Sequence, residues 1–580
     1  MSEHQSSDLD LALLTKADAW GLLKQPGFRT EWLSLYERCP WATAFQHYDF
    51  VAAWFGAYGS MFQPIIISGR NRAKQLTGLL VLAATPADDI VVAGSRQAEY
   101  QVWLAEPSTN DSFIRQALAR IRPHLKNGSL TFQYLPAGTP LTPFDDWVQR
   151  CATLETLPRP LMDTTPETLA DTLKIKKKKL NQLAKVGEIN FVRLTDRAAF
   201  ERLIDEIIVF YDLRQGAIGG DPPFTRDPYK RGFHLALMES PDLLHVTMLT
   251  VGPTVAAAHI GVSGRGVVHL GIIAHTPFLS QHSPGRIHLK LMAQEMAADG
   301  FSYCDLTPGD DAWKEMFASR HDTVHRLTIY GREATLKRAA LVDKLKNRAS
   351  KVVRKTGLAP SDVQAIVASL RDAGAAAATR SIMRRVGRFA LETVELRAYE
   401  LPLPSDAGRA SDESVRRDAI GDLLAFEPAQ GTQDAKGFFT TALARLEKGQ
   451  HPYTSVENHR LIHWGWIAEH QTESFLDEVE QTFALPPATG VLFDFYTHPD
   501  FRRRGHYERT LRRMINDANS TDLTQLYIFV EADNRASRSV IEKIGFRYRF
   551  SFWKRRVGGA VKKWRDDFTE TSAPRRVVED

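Results

Sequence analysis

One stretch constrains this chain more than any other: the apolar run VLFDFY (Val491 to Tyr496), a short arginine-rich loop ending at Gly505, and a helix-patterned segment from Tyr507 to Ala518. A short apolar and aromatic run reads as a buried strand, and the spacing of Leu511, Met514 and Ile515 reads as one face of a helix. Strand, tight basic loop and helix start make an anion cradle, because unsatisfied amide N–H groups and the positive end of the helix dipole converge there. A strand followed at once by a helix needs a sheet with helices laid against it. The expected fold class is therefore α/β (α+β), with mixed sheets flanked by helices.

The same alternation recurs along the 580 residues, which exceed what one hydrophobic core can serve; about 150 residues per domain suggests three or four units. Residues 1–160 read as a first α/β unit, with strands at Pro64 to Gly69, Leu76 to Ala83 and Ser129 to Leu135. A second, 161–335, opens on a helix running from Pro166 to Gly187 and continues through the strands LLHVTMLTVG, TVAAAHIGVSG and VVHLGIIA. Residues 336–388 read as a basic helical connector. A third unit, 389–556, holds the anion cradle, and 557–580 reads as a flexible tail. Three units of similar order suggest internal duplication.

The charge balance, 74 Lys+Arg against 69 Asp+Glu, leaves +5 and does not point to a nucleic-acid partner. Cys39, Cys151 and Cys304 are too widely spaced for a disulfide framework or a zinc site, so they are expected reduced and buried. No apolar run reaches the length of a membrane span, and the first residues lack a signal-peptide pattern. A cytoplasmic location is expected.

Pro499-x-x-Arg502-x-x-Gly505, followed in order by Asn534 and Gly545-Phe546, resembles the GNAT acyltransferase superfamily over Phe389 to about Trp553. The resemblance implies acetyl-CoA or another acyl-CoA as donor substrate. Phe495, Thr497, Arg502, Arg504, Gly505, His506 and Asn534 are the implied donor contacts. Two positions depart from the pattern. Tyr507 stands where the loop usually ends in a small residue, which predicts an obstructed approach to phosphate. Ile541 stands where many members carry the tyrosine that protonates the departing thiolate. Amine acylation also needs a base for the ammonium proton, and Asp494, Glu531 and His498 are the candidates.

The segment His269 to Phe317 carries a second signature: Ser283-Pro284-Gly285 at a helix start, then Asp305, Gly309 and Trp313-Lys314. It resembles the BioF2-like acyltransferase domain of CelD (BcsL) proteins, related to the FemABX peptidyltransferases, over roughly Glu31 to Arg332. That resemblance implies Ser283, Gly285 and Arg286 at the anionic part of the donor, and catalytic or positioning roles for Asp305 and Lys314. It also implies that the first unit is a degenerate GNAT copy.

Lys174 and Lys176 to Lys179 form a dense positive run suited to an anionic substrate or donor diphosphate, and the basic connector 336–388 is read as a solvated helix face with peripheral contact with an anionic surface as its alternative. No aromatics are interleaved with these lysines, so sequence-specific nucleic-acid binding is not expected. His259, His269, His275, His282 and His288 have no recognisable ligand spacing, and no metal is expected. The reading that follows is an acyl-CoA-dependent N-acyltransferase acting on an amine, or less readily a hydroxyl, with an envelope or exopolysaccharide precursor as the acceptor class implied by the CelD resemblance. Two alternatives stand beside it: FemABX-like transfer from aminoacyl-tRNA, and a non-catalytic acyl-CoA-binding or scaffolding protein.

Overall fold

The computed structural model describes residues 9–341, 344 and 391–567, apart from 142–143, 172, 176, 241, 310, 409–411, 430–432 and 558–559. The expected connector lies almost wholly outside the described residues, as do Lys176 and the last thirteen residues of the expected tail. Contacts divide the chain into two compact units, Met1–Tyr211 with Pro223–Arg348, and Asp212–Pro222 with Ala349–Asp580. The architecture is α/β with mixed sheets.

The first unit contains two sheets. Strands Asp10–Thr15, Gln63–Arg70, Leu76–Ala84 and Ile90–Val92 form an antiparallel sheet in that order, with Leu104–Ala105 also pairing with Leu76–Ala84. The other has eight strands, in the order Ser129–Leu135, Arg320–Tyr330, Ala152–Asp163, Tyr303–Asp305, Val267–His275, Thr254–Gly264, Leu244–Val251 and Ile189–Leu194. Strands 129–135 and 152–163 thus belong to the same sheet as the segment that follows them, so the sheet boundary falls before Ser129 rather than near residue 160.

The lysine-rich segment also differs from expectation. Helix Pro166–Ala170 stops, and a separate helix, Lys177–Ala184, begins after it. Fully buried Leu173 anchors the chain at the break, and Lys177, Lys178 and Lys179 themselves open the second helix. Lys174, Lys177, Lys178 and Lys179 are exposed.

The second unit is an eight-stranded sheet in the order Arg416–Arg417, His451–Glu457, Arg460–Ala468, Thr489–Thr497, Gln525–Glu531, Leu391–Pro402, Arg547–Val557 and Ala560–Asp567. Residues 560–567, expected within a frayed tail, are strand and pair from Ala560↔Val557 to Asp567↔Phe550. Helix His506–Ala518 buries Leu511, Met514 and Ile515 against Tyr399, Ile467, Leu492 and Ile528. Each such side chain contributes about 1.5–3 kcal/mol by leaving water. A two-stranded hairpin, Glu473–Leu476 with Gln481–Ala484, was not legible in the sequence.

Each eight-stranded sheet contains a single parallel pair: Val267–His275 with Tyr303–Asp305, and Thr489–Thr497 with Gln525–Glu531. Parallel neighbours require a crossover, which the helices Pro284–Ala298 and His506–Ala518 supply.

Candidate active site

In the second unit the parallel pair runs in register only from Thr489↔Gln525 to Leu492↔Ile528. Beyond that point Thr489–Thr497 stays with Arg460–Ala468, and Gln525–Glu531 stays with Leu391–Pro402 as far as Leu396↔Glu531. The two strands therefore part, and a cleft of about 1060 Å³ opens between them. Phe493, Asp494, Phe495, Tyr507, Glu531 and Asn534 are among its lining residues.

A bulge forms at the opening. Trp466 pairs with Phe493 and Trp464 with Tyr496, so Asp494 and Phe495 together face Gly465, and Asp494 adopts φ +50°. A bulge leaves one residue outside the ladder, and a backbone amide freed in this way is the kind of donor that stabilises an oxyanion. Gly465 permits the arrangement, since a Cβ there would stand 2.4 Å from the Phe495 ring.

The strand leads through Pro499–Phe501, a 3₁₀ turn, to Gly505, which caps helix His506–Ala518 in the left-handed region at φ +76° with no side-chain cap. The first amides of a helix lack intrahelical partners and carry its positive end. Arg502 Nε donates to the Thr497 carbonyl (3.3 Å) and Arg504 Nη2 to that of Asp500 (3.2 Å), which ties both arginines to the loop. His506 Nδ1 meets Arg509 Nη2 at 2.9 Å, and burial followed by the Arg509 charge lowers the His506 pKa. Thr497 Oγ1 meets Nδ1 of buried His463 at 2.8 Å. Burial, with His506 and Arg509 nearby, lowers His463 to about 3 and keeps it neutral.

The candidate bases are placed differently from one another. Asp494 is ion-paired with Arg445, whose guanidinium lies over Trp466 (5.2 Å) and Phe493 (5.1 Å). Glu531 lines the cleft, and burial followed by the charges of Asp533 and Glu478 raises its pKa. His498 is buried, and its Nδ1 accepts the Asp500 amide at 3.3 Å, so it acts as a cap and is not among the cleft-lining residues. Asn534 lines the cleft and also caps helix Arg535–Ile544, accepting from Ser537 N–H at 3.1 Å.

Tyr507 is turned into the cleft wall. Its ring meets Phe495 edge-on at 4.8 Å, and its hydroxyl accepts from Ser537 Oγ at 2.9 Å. Burial pushes its pKa up to about 12. Ile541 is fully buried in the core, so the phenol lining this cleft comes from Tyr507. Arg445, Ser537 and the 473–484 hairpin were missed from sequence because only long-range pairing brings them to the cleft.

In the first unit the corresponding strands also part, after His269↔Asp305, but the wedge point is filled. Asp305 is fully buried. Its Oδ2 lies 3.0 Å from Arg159 Nη1 and 3.3 Å from His269 Nδ1, and its Oδ1 accepts the Thr307 amide at 2.9 Å. Burial alone would raise its pKa; His269 and Arg159 outweigh that and hold it below the usual carboxylate value. Lys314 is also buried, donating to the Thr307 carbonyl (3.2 Å) and ion-paired with Asp311 (3.1 Å).

Ser283 takes the left-handed region at φ +55° before helix Pro284–Ala298. A Cβ on Gly285 would lie 3.3 Å from His275 Nδ1, and Arg286 is exposed. A smaller cavity of about 150 Å³ borders His269 and Gly271 and is also lined by Glu99, whose carboxyl is raised to about 8 by burial and then by Asp305. Thus Asp305 and Lys314 sit in packed networks, whereas Asp494, Phe495, Glu531 and Asn534 share one open cleft. Among the described residues no three His, Cys, Asp or Glu side chains are grouped to hold a metal, and no helix is long and apolar enough to cross a membrane.

Comparison with known proteins agrees in kind. Residues 170–315 match the family model of an acetyltransferase (GNAT) domain, and residues 476–556 match that of an FR47-like protein. No curated protein matches the chain. Among solved structures, the C-terminal domain (DUF2156) of a putative lysylphosphatidylglycerol synthetase from Agrobacterium fabrum is 10% identical, covering 55% of this chain and 95% of its own, with a TM-score of 0.35. FemX is 9% identical over 54% of this chain and 98% of its own (TM-score 0.37). A tandem GNAT protein from the clavulanic acid biosynthesis pathway is 14% identical over 56% and 99% (TM-score 0.36). The chain is thus similar to acetyltransferase family models at two separate places, to a GNAT domain over residues 170–315 and to an FR47-like protein over residues 476–556.

Proposed function

We propose that this protein is an acyl-CoA-dependent N-acyltransferase whose chemistry takes place in the cleft of the second unit. The observation that carries the reading is the parting of Thr489–Thr497 from Gln525–Glu531, with a backbone bulge at the opening and an uncapped helix start at the end of the same strand. The thioester arm lies between the parted strands, and its diphosphate meets the amides after Gly505 with Arg502 and Arg504 beside them. Glu531 takes a proton from the acceptor ammonium. The amine then attacks the thioester carbonyl, forming the C–N bond, while the bulge amide stabilises the oxyanion. Collapse breaks the C–S bond, the Tyr507 hydroxyl gives its proton to the departing thiolate, and the second proton of the attacking nitrogen passes through solvent to the phenolate so formed, which leaves a neutral amide and a free thiol. An amine of an envelope or polysaccharide precursor remains within the acceptor class, which the charge of the cleft narrows further.

Calorimetric titration of acetyl-CoA into the full chain tests the reading. Binding is expected, and the double variant Arg502→Ala/Arg504→Ala weakens it. Absence of binding overturns the proposal. Binding that survives the double variant but is abolished by Arg286→Ala moves the donor site to the first unit.

A further inference from the structure

The hairpin Glu473–Leu476 with Gln481–Ala484 forms one wall of the cleft, and its acids fall into two sets. Glu480 is held by Lys554 (3.1 Å), Arg556 (3.4 Å) and Lys563 (3.0 Å). Glu473, Asp477 and Glu478 are exposed, line the cleft, and enter no ion pair among the described residues. Glu531 lines it too, close enough to Glu478 and Asp533 for their charges to raise its pKa. Carboxylates from two separate elements therefore line one open cleft.

The basic side chains of the lining do not offset this charge. Arg445 is committed to Asp494, which leaves Lys448 against Glu473, Asp477, Glu478 and Glu531. The same wall presents Phe475, a residue 60% exposed. An exposed aromatic face beside carboxylates attracts an organic cation through both its quadrupole and its apolar surface. The volume suits a small molecule beside a thioester arm.

Resting on the reading of this cleft as the acyl-transfer site, we infer that the acceptor is a small linear amine with at least two ammonium groups. One is placed at Glu531 for deprotonation and acylation. The other is held among Glu473, Asp477, Glu478 and the Phe475 ring. Acylation of the first nitrogen removes one positive charge from the product, which weakens its hold on the acidic wall and favours release.

A matched series isolates the second charge. With acetyl-CoA as donor and the full chain as enzyme, putrescine, n-butylamine and 4-aminobutyrate present the same four-carbon amine with a distal ammonium, methyl or carboxylate. The expected order of kcat/KM is putrescine, then butylamine, then aminobutyrate, with about tenfold between neighbours, and the spread narrows as salt is added. The triple variant Glu473→Gln/Asp477→Asn/Glu478→Gln is expected to erase the putrescine advantage through KM, while any change in kcat, from the loss of the Glu478 charge beside Glu531, is the same for putrescine and for n-butylamine. A merely structural role for these exposed acids would not produce that split. A flat or reversed order, transfer to none of the three, or an advantage that survives the triple variant overturns the inference. Calorimetry with acetyl-CoA separates the two levels. If the donor binds and the order is flat, only the acceptor class falls; if the donor does not bind, the reading beneath it falls as well.

Discussion

The Tyr507 hydroxyl accepts a hydrogen bond from Ser537 Oγ at 2.9 Å, joining the first turn of one helix to the first turn of the next across the wall of the cleft. Because burial pushes this phenol up to about 12, it stays protonated at every pH at which the protein would be assayed. Tyr507→Phe is expected to lower kcat about 10²-fold, in the range typical of a lost general acid, with the calorimetric affinity for acetyl-CoA unchanged. Loss of affinity with kcat retained would make the ring a donor contact instead.

Glu531 supplies the acid side of the pH profile. A base must be deprotonated to act, and burial together with Asp533 and Glu478 raises its pKa above the ordinary glutamate value of 4.5. The rate therefore falls as pH drops through that raised value, at a higher pH than an isolated glutamate would give. Glu531→Gln should remove this limb and cost about 10²–10⁴ in kcat. A wild-type profile from pH 5 to 9 that the substitution leaves unaltered would exclude Glu531 as the base.

Gly465→Ala tests the bulge. A Cβ 2.4 Å from the Phe495 ring cannot be accommodated without moving that ring or straightening the strand. A stability loss of about 1–3 kcal/mol is expected in urea unfolding, with kcat reduced beyond what the fraction of folded protein explains.

Asp305 gives the opposite kind of prediction. Removing the Asp305 charge takes one of two carboxylates from buried Arg159, which keeps its pair with Asp322, and weakens the contacts to His269 Nδ1 and the Thr307 amide, at a cost of about 1.5–3 kcal/mol, the range for a hydrogen bond to a charged group. Asp305→Asn should therefore lower the unfolding midpoint strongly while the folded fraction keeps its affinity for acetyl-CoA. An equally stable variant that no longer binds acetyl-CoA would give Asp305 a donor role.

Local pattern made much of the second unit legible. The strands of VLFDFY and LTQLYIFVEA and the helices after Gly505 and Asn534 lie where apolar spacing and turn residues placed them. Such patterns depend on near neighbours in sequence. Arg445 reaches Asp494 from 49 residues away, and the hairpin reaches the cleft only through the folded sheet, so neither leaves a local mark. Burial leaves no local mark either. Lys314 resembles any solvated helix lysine until the carbonyl of Thr307 closes over it. The helix expected to run on from Pro166 is interrupted where the tertiary fold buries Leu173, a contact that leaves no local mark.

The two wedge points differ in a way that bears on how freely each half of the chain can change. At His269↔Asp305 the gap is bolted by charge: a substitution there must keep Arg159, His269 and Thr307 satisfied together, so tolerated changes come in concert or not at all. At Leu492↔Ile528 the meeting point is greasy and undirected, and one aliphatic side chain can replace another singly. Random mutagenesis should accordingly leave a blank patch around the first wedge and a permissive one at the apex of the second. New acceptor preferences would then arise along the walls of the open cleft, while the bolted half holds its shape.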